Sequence, residues 1–197
     1  MERISRFALA DVDELPADLR ERVAEIAERS GFVPNVFRGL AHRPDELRAF
    51  LAYHDAVMER DSGLSPAERE MVVVATSGAR SCTYCVVAHG AVLRVRARDP
   101  RIADFLATNP RQAPVTPRQA ALLAYAVKLS LTPELVEDAD LDALRAHGLS
   151  DDDVWDVGAI TAFFAMSNRL AHMMALVPNE EFHLMGRIPR EKAPAAG

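Results

Sequence analysis

The only two cysteines of the chain, Cys82 and Cys85, are separated by two residues, and His89 follows one helical turn later. If Ser81 caps a helix that begins at Cys82, the three side chains fall within about 60° of one another around the helix axis. A helix N-terminus favours a thiolate, and so does a protonated histidine beside it, which is a common basis of cysteine reactivity. The spacing therefore predicts a redox-active thiol pair on one face of a helix, with a histidine beside it.

Glu70 lies twelve residues before Cys82 and is the candidate carboxylate for the same site. On one continuous helix the two residues would be about 18 Å apart. Ser65 and Glu68, however, form the pattern of a capping box at a helix start, and Gly78 is expected to end that helix. Two antiparallel helices joined by a turn would bring Glu70 beside the thiols, where it could hold a proton or orient a water molecule.

The elements that must position these residues are predicted to be helical nearly throughout, because the apolar pattern shows no convincing strand alternation. Start and stop signals predict helices over 16–30, 44–58, 65–78, 81–96, 101–108, from 116 to beyond 129, and 150–176. We expect a single all-α domain over residues 1–197, with a flexible tail at about 190–197. The tripeptide Gly-Leu-Ser opens helices at both 63–65 and 148–150, so an internal duplication of a helical unit is one interpretation.

The composition excludes several function classes. The net charge is −6 and no basic patch is visible, so we expect no nucleic-acid partner. No apolar run approaches the roughly 18 residues of a membrane span, and the N-terminal residues lack the apolar core of a signal peptide. These features predict a cytoplasmic protein, in which a cysteine pair is catalytic, redox-sensing or metal-binding more often than structural.

The arrangement of Glu70, Cys82, Cys85 and His89 resembles the alkylhydroperoxidase D family, within the wider carboxymuconolactone decarboxylase superfamily. The segments 31–37 and 41–50 also resemble the branch often labelled peroxidase-related proteins, and the likeness extends over about residues 15–185. The resemblance implies an all-α, alkylhydroperoxidase D-like helical bundle that assembles into trimers or hexamers. It also implies a thiol-dependent peroxidase or disulfide reductase that needs neither cofactor nor metal.

The same resemblance implies roles for the four residues. Cys85 would attack a hydroperoxide and become a sulfenic acid, Cys82 would resolve it as a disulfide, and an external dithiol would reduce the pair. Glu70 and His89 would form the proton relay. Some members of the family carry a histidine just before the second cysteine, where this chain has Tyr84, and a neutral phenol is a poorer proton shuttle near pH 7.

Reasoning from the residues alone leaves alternatives open. Cys82 is closer to the positive end of the helix, whereas Cys85 has His89 one turn away, so either thiol could attack first. The pair and His89 could instead supply three zinc ligands, in a metal-binding or redox-sensing protein without enzymatic activity. A decarboxylase-type lyase of the same superfamily, acting on a lactone acid, is a further alternative, although that chemistry does not need the cysteine pair.

The remaining candidate residues carry weaker signals. The other five histidines lack partners at a telling spacing and are predicted to be structural or at the surface; they are His42, His54, His147, His172 and His183. Aromatic and methionine residues of the last long helix are predicted to form core or subunit interface; they are Trp155, Phe163, Phe164, Met166, Met173 and Met174. Asn168 and Arg169 of that helix are predicted to brace the site or a neighbouring subunit.

Overall fold

The computed structural model describes residues 3–187, and every regular element in that range is helical. Ten α-helices follow one another: α1 Ala17–Ser30, α2 Asn35–Leu40, α3 Pro44–Met58, α4 Pro66–Ala79, α5 Thr83–Ala97, α6 Ile102–Thr108, α7 Pro117–Leu131, α8 Asp138–Ala146, α9 Asp151–Met174 and α10 Glu181–Leu184. Short 3-10 turns lie at Val12–Glu14, Pro110–Gln112 and Pro133–Leu135. The prediction of an all-α fold is confirmed.

Local capping residues explain where the long helices start. Capping boxes join Ser65 to Glu68 at α4 and Ser150 to Asp153 at α9, as the sequence predicts. A third box opens α7 at Thr116. In each box the first residue accepts a hydrogen bond from an amide of the first turn, and the fourth residue bonds back to its amide.

The turn between α4 and α5 differs from the prediction in two respects. Gly78 does not end α4, which continues to Ala79; a Cβ atom at Gly78 would lie 2.5 Å from the carbonyl oxygen of Ala107, so the glycine permits close approach of α6. Ser81 does not cap α5 either. Its φ of +56° is left-handed, and this reversal makes Cys82 the N-cap residue, one position later than predicted.

Helix α4 is the centre of the bundle, and it packs against α5, α6, α7 and α9. Its residues Val72, Val73 and Val74 are all fully buried, as expected for a helix that is covered on every side. Apart from the core around α4, another apolar cluster joins α1–α3 to the first turns of α5, and it contains both cysteines. The thiols therefore lie in this cluster, on the helix that packs against α4.

Three further predictions concern the C-terminal tail, the two Gly-Leu-Ser segments and membrane crossing. The predicted flexible tail at 190–197 lies outside the described residues. Gly63 and the start of α9 are in contact, because the Gly63 amide donates to Asp153 Oδ1 at 2.7 Å; duplication of the two units stays a prediction. Among residues 3–187, no helix has the length and apolar character that a membrane crossing requires.

Candidate active site

Helices α4 and α5 run antiparallel, and Glu70 of α4 is hydrogen-bonded to His89 of α5. The Nδ1 atom of His89 lies 2.8 Å from Glu70 Oε2, and Arg96 Nη1 lies 3.5 Å from Glu70 Oε1. Because an ionised carboxylate only accepts hydrogen bonds, the Nδ1 atom of His89 carries the hydrogen and its Nε2 atom is left free for chemistry. The carboxylate side chain is 4 % exposed, and it holds the imidazole by a charge-assisted hydrogen bond.

The imidazole is fixed by packing as well as by hydrogen bonding. The edge of the Phe164 ring meets the His89 ring at an interplanar angle of 83°, with the ring centroids 4.6 Å apart. The His89 side chain is 20 % exposed, so it reaches solvent while Glu70 behind it does not. This arrangement suits a group that passes protons between solvent and a buried site.

The two cysteines are free thiols at the start of α5, and both are buried. Cys82 is the N-cap residue, and its amide donates to the carbonyl oxygen of Ser77 at 2.9 Å, which fixes the turn against the end of α4. Cys85 is the third residue of the helix. Both sulfurs therefore lie at the helix N-terminus, where the partial positive charge favours an anion.

The two thiols differ in acidity because each affects the other. The Cys85 thiol lowers the pKa of Cys82 to about 7, against the opposing effect of burial. The Cys85 amide and the charges of His172 and His89 act in the same direction as the Cys85 thiol. The interaction with Cys82, together with burial, raises the pKa of Cys85 well above its ordinary value. Cys82 is therefore the more acidic thiol, whereas the family resemblance assigns the attack to Cys85.

Polar side chains of α4 and α9 surround Cys85. The Ser167 Oγ atom lies 4.0 Å from Cys85 Sγ, and hydrogen bonds from Ser167 and Ser77 oppose the rise in the pKa of Cys85. Ser77 Oγ also lies 3.1 Å from Asn168 Oδ1. The sequence predicts for Asn168 only a bracing role, and it does not point to either serine. A lone serine in an apolar helical run has no partner at a spacing that would indicate a function.

Two further histidines lie close to the site. On α3, burial and then the charge of His89 lower the pKa of His54, whose ring centroid lies 6.0 Å from that of Phe163 on α9. On α9, His172 Nε2 bonds to the carbonyl oxygen of Arg80 at 3.1 Å, and the charge of His172 acts on Cys82. Neither histidine stands at a telling distance from the motif in sequence, so only the packing of α3 and α9 reveals them.

Tyr84 is a structural link between helices. Its hydroxyl accepts a hydrogen bond from the Val36 amide at 3.0 Å and so ties α5 to the first turn of α2. Burial raises the pKa of Tyr84 above its ordinary value, so the phenol stays neutral. A neutral, buried phenol engaged with a backbone amide does not replace the histidine that some family members carry at this position.

The surroundings of the site limit how it is reached and what it can hold. The two best-formed surface clefts are lined by 3–9 and by residues of 32–38 and 177–181, and neither includes a cysteine or His89. Of the four predicted site residues, His89 is the most exposed, and a reactant would enter beside it. Within residues 3–187, no group of three or more His, Cys, Asp or Glu side chains is arranged to hold a metal ion.

Comparisons with known proteins show what this chain is similar to. Residues 44–126, which include Glu70, both cysteines and His89, match the carboxymuconolactone decarboxylase family. A solved structure described as the alkylhydroperoxidase AhpD core, an uncharacterized peroxidase-related protein from Ralstonia eutropha, is 53% identical, covers 96% of this chain and 100% of its own, and superposes with a TM-score of 0.94. An uncharacterized peroxidase-related protein from Silicibacter is 38% identical over 94% of this chain and 97% of its own, with a TM-score of 0.89.

A more distant likeness concerns the fold alone. A debrominase solved with 2,3,4-tribromopyrrole is 17% identical and covers 90% of this chain and 94% of its own, with a TM-score of 0.77. No protein with a curated description matches the chain. The chain therefore shares its fold with the peroxidase-related structures, and a structure described as a debrominase has the same fold.

Proposed function

Because this chain belongs to the carboxymuconolactone decarboxylase family, in its alkylhydroperoxidase D-like, peroxidase-related branch, we propose that it is a thiol-dependent peroxidase that reduces hydroperoxides. The observation that carries the proposal is the pair of free thiols at the start of α5, beside a histidine held by a buried carboxylate. We assign Cys85, Cys82, His89 and Glu70 as the catalytic residues. The role would be antioxidant, with an external dithiol as reductant.

The coupling of the two thiols suggests how the attack begins. Cys85 donates its proton to the thiolate of Cys82, the more acidic thiol, and becomes the thiolate itself, because the two thiol groups interact directly. The Cys85 sulfur then attacks the distal oxygen of the hydroperoxide; the O–O bond breaks, an S–O bond forms, and the sulfur loses two electrons. The departing alkoxide takes a proton from His89, and Glu70 stabilises the imidazolium before that transfer.

The second half of the cycle closes the disulfide. The Cys82 sulfur attacks the sulfenic acid of Cys85, and the hydroxyl group leaves with the Cys82 proton as water. The two cysteines lie three positions apart at a helix start, which is a spacing that permits a disulfide. An external dithiol then returns two electrons and two protons to the pair, and solvent reprotonates His89.

The test is dithiol-dependent consumption of tert-butyl hydroperoxide. We expect Cys85→Ser to abolish turnover, because the attacking sulfur is gone, and the exposed neighbour Thr83→Ala to leave turnover unchanged. Mass spectrometry of the wild-type chain should show a loss of two hydrogens after peroxide treatment, reversed by dithiothreitol. Unchanged turnover in Cys85→Ser would overturn the proposal.

The alternatives give different results in the same experiments. A lyase of the same family would act on a lactone acid and would retain that activity after Cys85→Ser. A zinc-binding or redox-sensing protein would carry stoichiometric zinc or oxidise reversibly, but it would not turn over peroxide with a dithiol. We retain the peroxidase because both sulfurs are free and the Nδ1 atom of His89 is bonded to Glu70.

We further propose that the chain acts in the cytoplasm as a homo-oligomer, a trimer or hexamer. The reducing dithiol pool of that compartment suits a cycling thiol pair. One face of α9 presents Trp155, Met166 and Met173, which are 73%, 43% and 53% exposed and lie 11 and 7 residues apart. Such spacing puts the three side chains on one helix face, and an apolar face of this kind favours association with a second copy.

A further inference from the structure

Ser77, Ser167 and Asn168 form a polar cluster inside the protein, here called the serine–asparagine pocket. Their exposures are 0%, 7% and 2%, so all three polar side chains are buried. Ser77 Oγ donates to Asn168 Oδ1 at 3.1 Å, and Ser167 Oγ lies 4.0 Å from the sulfur of Cys85. Helix α9 is thus linked to α4 through Asn168 and to Cys85 of α5 through Ser167.

The two serines are directed across helix interfaces rather than along their own helices. The usual arrangement is seen in their neighbours, since Thr76 donates to the Val72 carbonyl at 2.7 Å and Thr161 to the Val157 carbonyl at 2.8 Å. Ser77 instead faces Asn168 on α9, and Ser167 faces Cys85 on α5. Both hydroxyls are therefore placed to act on another helix.

Asn168 supplies a donor that has no use in the reduced protein. Its Nδ2 atom is buried and has no hydrogen-bond acceptor among the described residues. Folded proteins rarely leave a buried amide group unpaired, and such exceptions call for an explanation. An explanation follows if the acceptor is an oxygen atom that arrives only during the reaction.

We propose that the serine–asparagine pocket binds the hydroperoxide oxygen that departs as alkoxide when the other oxygen is transferred to Cys85, an inference that rests on the proposed peroxidase function. The transferred oxygen keeps its hydrogen and is neutral, so the negative charge passes from the Cys85 sulfur to the departing oxygen as the O–O bond breaks. Ser167 donates to this oxygen directly, Ser77 can rotate from Asn168 toward it, and Asn168 Nδ2 supplies a third donor. Donors fixed before the reaction stabilise developing charge without reorganisation.

The pocket also distinguishes the two thiols. Ser167 Oγ lies 4.0 Å from Cys85 Sγ, and hydrogen bonds from Ser167 and Ser77 act to lower the pKa of Cys85, whereas the Cys85 thiol lowers the pKa of Cys82. We therefore place oxygen transfer at Cys85, although Cys82 is the more acidic thiol. Cys82 serves first as the proton acceptor and then as the resolving thiol.

The test isolates oxygen transfer in a Cys82→Ala background, where the sulfenic acid of Cys85 cannot be resolved. Dimedone trapping and mass spectrometry measure the rate of adduct formation at Cys85 with tert-butyl hydroperoxide. The pH is set high enough that the thiol is fully ionised. In this background we expect Ser167→Ala and Asn168→Asp to slow the reaction on the order of 100-fold, the typical effect of removing one oxyanion donor. Thr161→Val, which removes a buried hydroxyl of the same helix, should leave the rate unchanged.

A second measurement separates oxygen binding from a structural role. Alkylation of Cys85 by iodoacetamide at the same pH transfers no oxygen, so its rate should stay within about twofold in the pocket variants. If Asn168→Asp does not fold, Asn168→Ala and Ser167→Ala give the same comparison. Equal slowing of alkylation and peroxide reaction would overturn the pocket's role in oxygen binding.

The outcomes distinguish this inference from the proposed function. If Cys85 forms its adduct at the same rate with and without the pocket donors, the pocket inference fails and the peroxidase stands. If the adduct forms only at Cys82, in a Cys85→Ala chain, the pocket inference fails and the order of attack is reversed. If no adduct forms at either cysteine with any hydroperoxide, the proposed peroxidase itself fails.

Discussion

At the scale of single residues, the two cysteines have different acidities although only two residues separate them. Cys82 lies outside the helix as its N-cap and the Cys85 thiol lowers its pKa, whereas Cys85 lies in the first turn and its own pKa is raised. A strongly coupled pair of this kind titrates as a unit, so the first proton lost belongs to the pair. The acidity of Cys82 therefore depends on the presence of Cys85.

Cys85→Ala should raise the pKa of Cys82 from about 7 toward the ordinary thiol value of about 8.5 or above. The sign follows because the Cys85 thiol stabilises the Cys82 thiolate, and burial, which favours the neutral thiol, would then act unopposed by that donor. The rate of iodoacetamide alkylation of Cys82 as a function of pH measures the midpoint, and the rate at pH 7 should fall roughly tenfold. The Thr83→Ala chain is the control. If the pH midpoint of Cys82 alkylation in Cys85→Ala stays near its wild-type value, the Cys85 thiol does not lower the pKa of Cys82.

Glu70→Gln should lower the rate of dithiol-dependent peroxide turnover on the order of 100-fold, the scale of general acid–base catalysis. An amide can still accept a hydrogen bond from His89 Nδ1, but it cannot stabilise the imidazolium by charge. Glu59→Gln is the matched control, because Glu59 also pairs with Arg96, at 3.2 Å, and does not contact His89. Equal activity in the two variants would remove Glu70 from the proton relay.

At the scale of elements, α4 positions most of the site because it is packed on every side. It carries Glu70 toward His89 and Ser77 toward Asn168, and Gly78 allows α6 to approach its last turn. A helix buried in this way has little freedom to shift, since protein interiors are close-packed. Substitutions that change its packing should therefore affect the stability of the whole bundle.

Gly78→Ala should lower the free energy of unfolding by about 1–3 kcal/mol, the usual effect of overpacking. The new Cβ would meet the Ala107 carbonyl oxygen at 2.5 Å, and a backbone atom can move only with its helix. Gly158→Ala is the control: its nearest neighbour would be Tyr125 Oη at 3.8 Å, so the better helix propensity of alanine should raise stability by up to about 1 kcal/mol. Chemical denaturation measures both, and a Gly78→Ala chain as stable as the wild type would contradict the close helix contact.

At the scale of the whole molecule, α9 has two faces with different tasks. One face buries Ser167 and Asn168 against the site, and the opposite face exposes Trp155, Met166 and Met173. Association through the exposed face would fix α9 and with it the pocket donors.

Met166→Glu should shift the protein toward smaller species in light scattering at fixed concentration. A charge in the centre of an apolar contact would be desolvated without a partner, which disfavours association. Leu135→Glu is the control, because Leu135 is 56% exposed and lies outside α9. An unchanged molar mass for Met166→Glu would show that α9 does not form the subunit contact.

The sequence was sufficient for features that depend on neighbouring residues. The starts of α4, α7 and α9 follow from capping boxes whose partners are three residues apart, so a short segment contains all the information. The all-α fold follows from the helical apolar pattern in the same way. The shared face of the cysteines and His89 stays a prediction, because Cys82 is the N-cap and lies outside the helix. The resemblance to peroxidase-related proteins depends on the spacing of these residues in the sequence.

The tertiary structure decided what depends on distant residues. Glu70 meets His89 across 19 positions, and Ser77 and Cys85 meet α9 across 91 and 82 positions, contacts that no local pattern encodes. The left-handed Ser81 moved the helix start past Cys82, and Gly78 proved to serve the approach of α6 rather than the end of α4. Local hydrogen bonds determine where helices begin, whereas packing between helices determines which side chains share a site. For this reason the sequence identified the thiol pair, and only the fold brought the polar side chains of α4 and α9 to it.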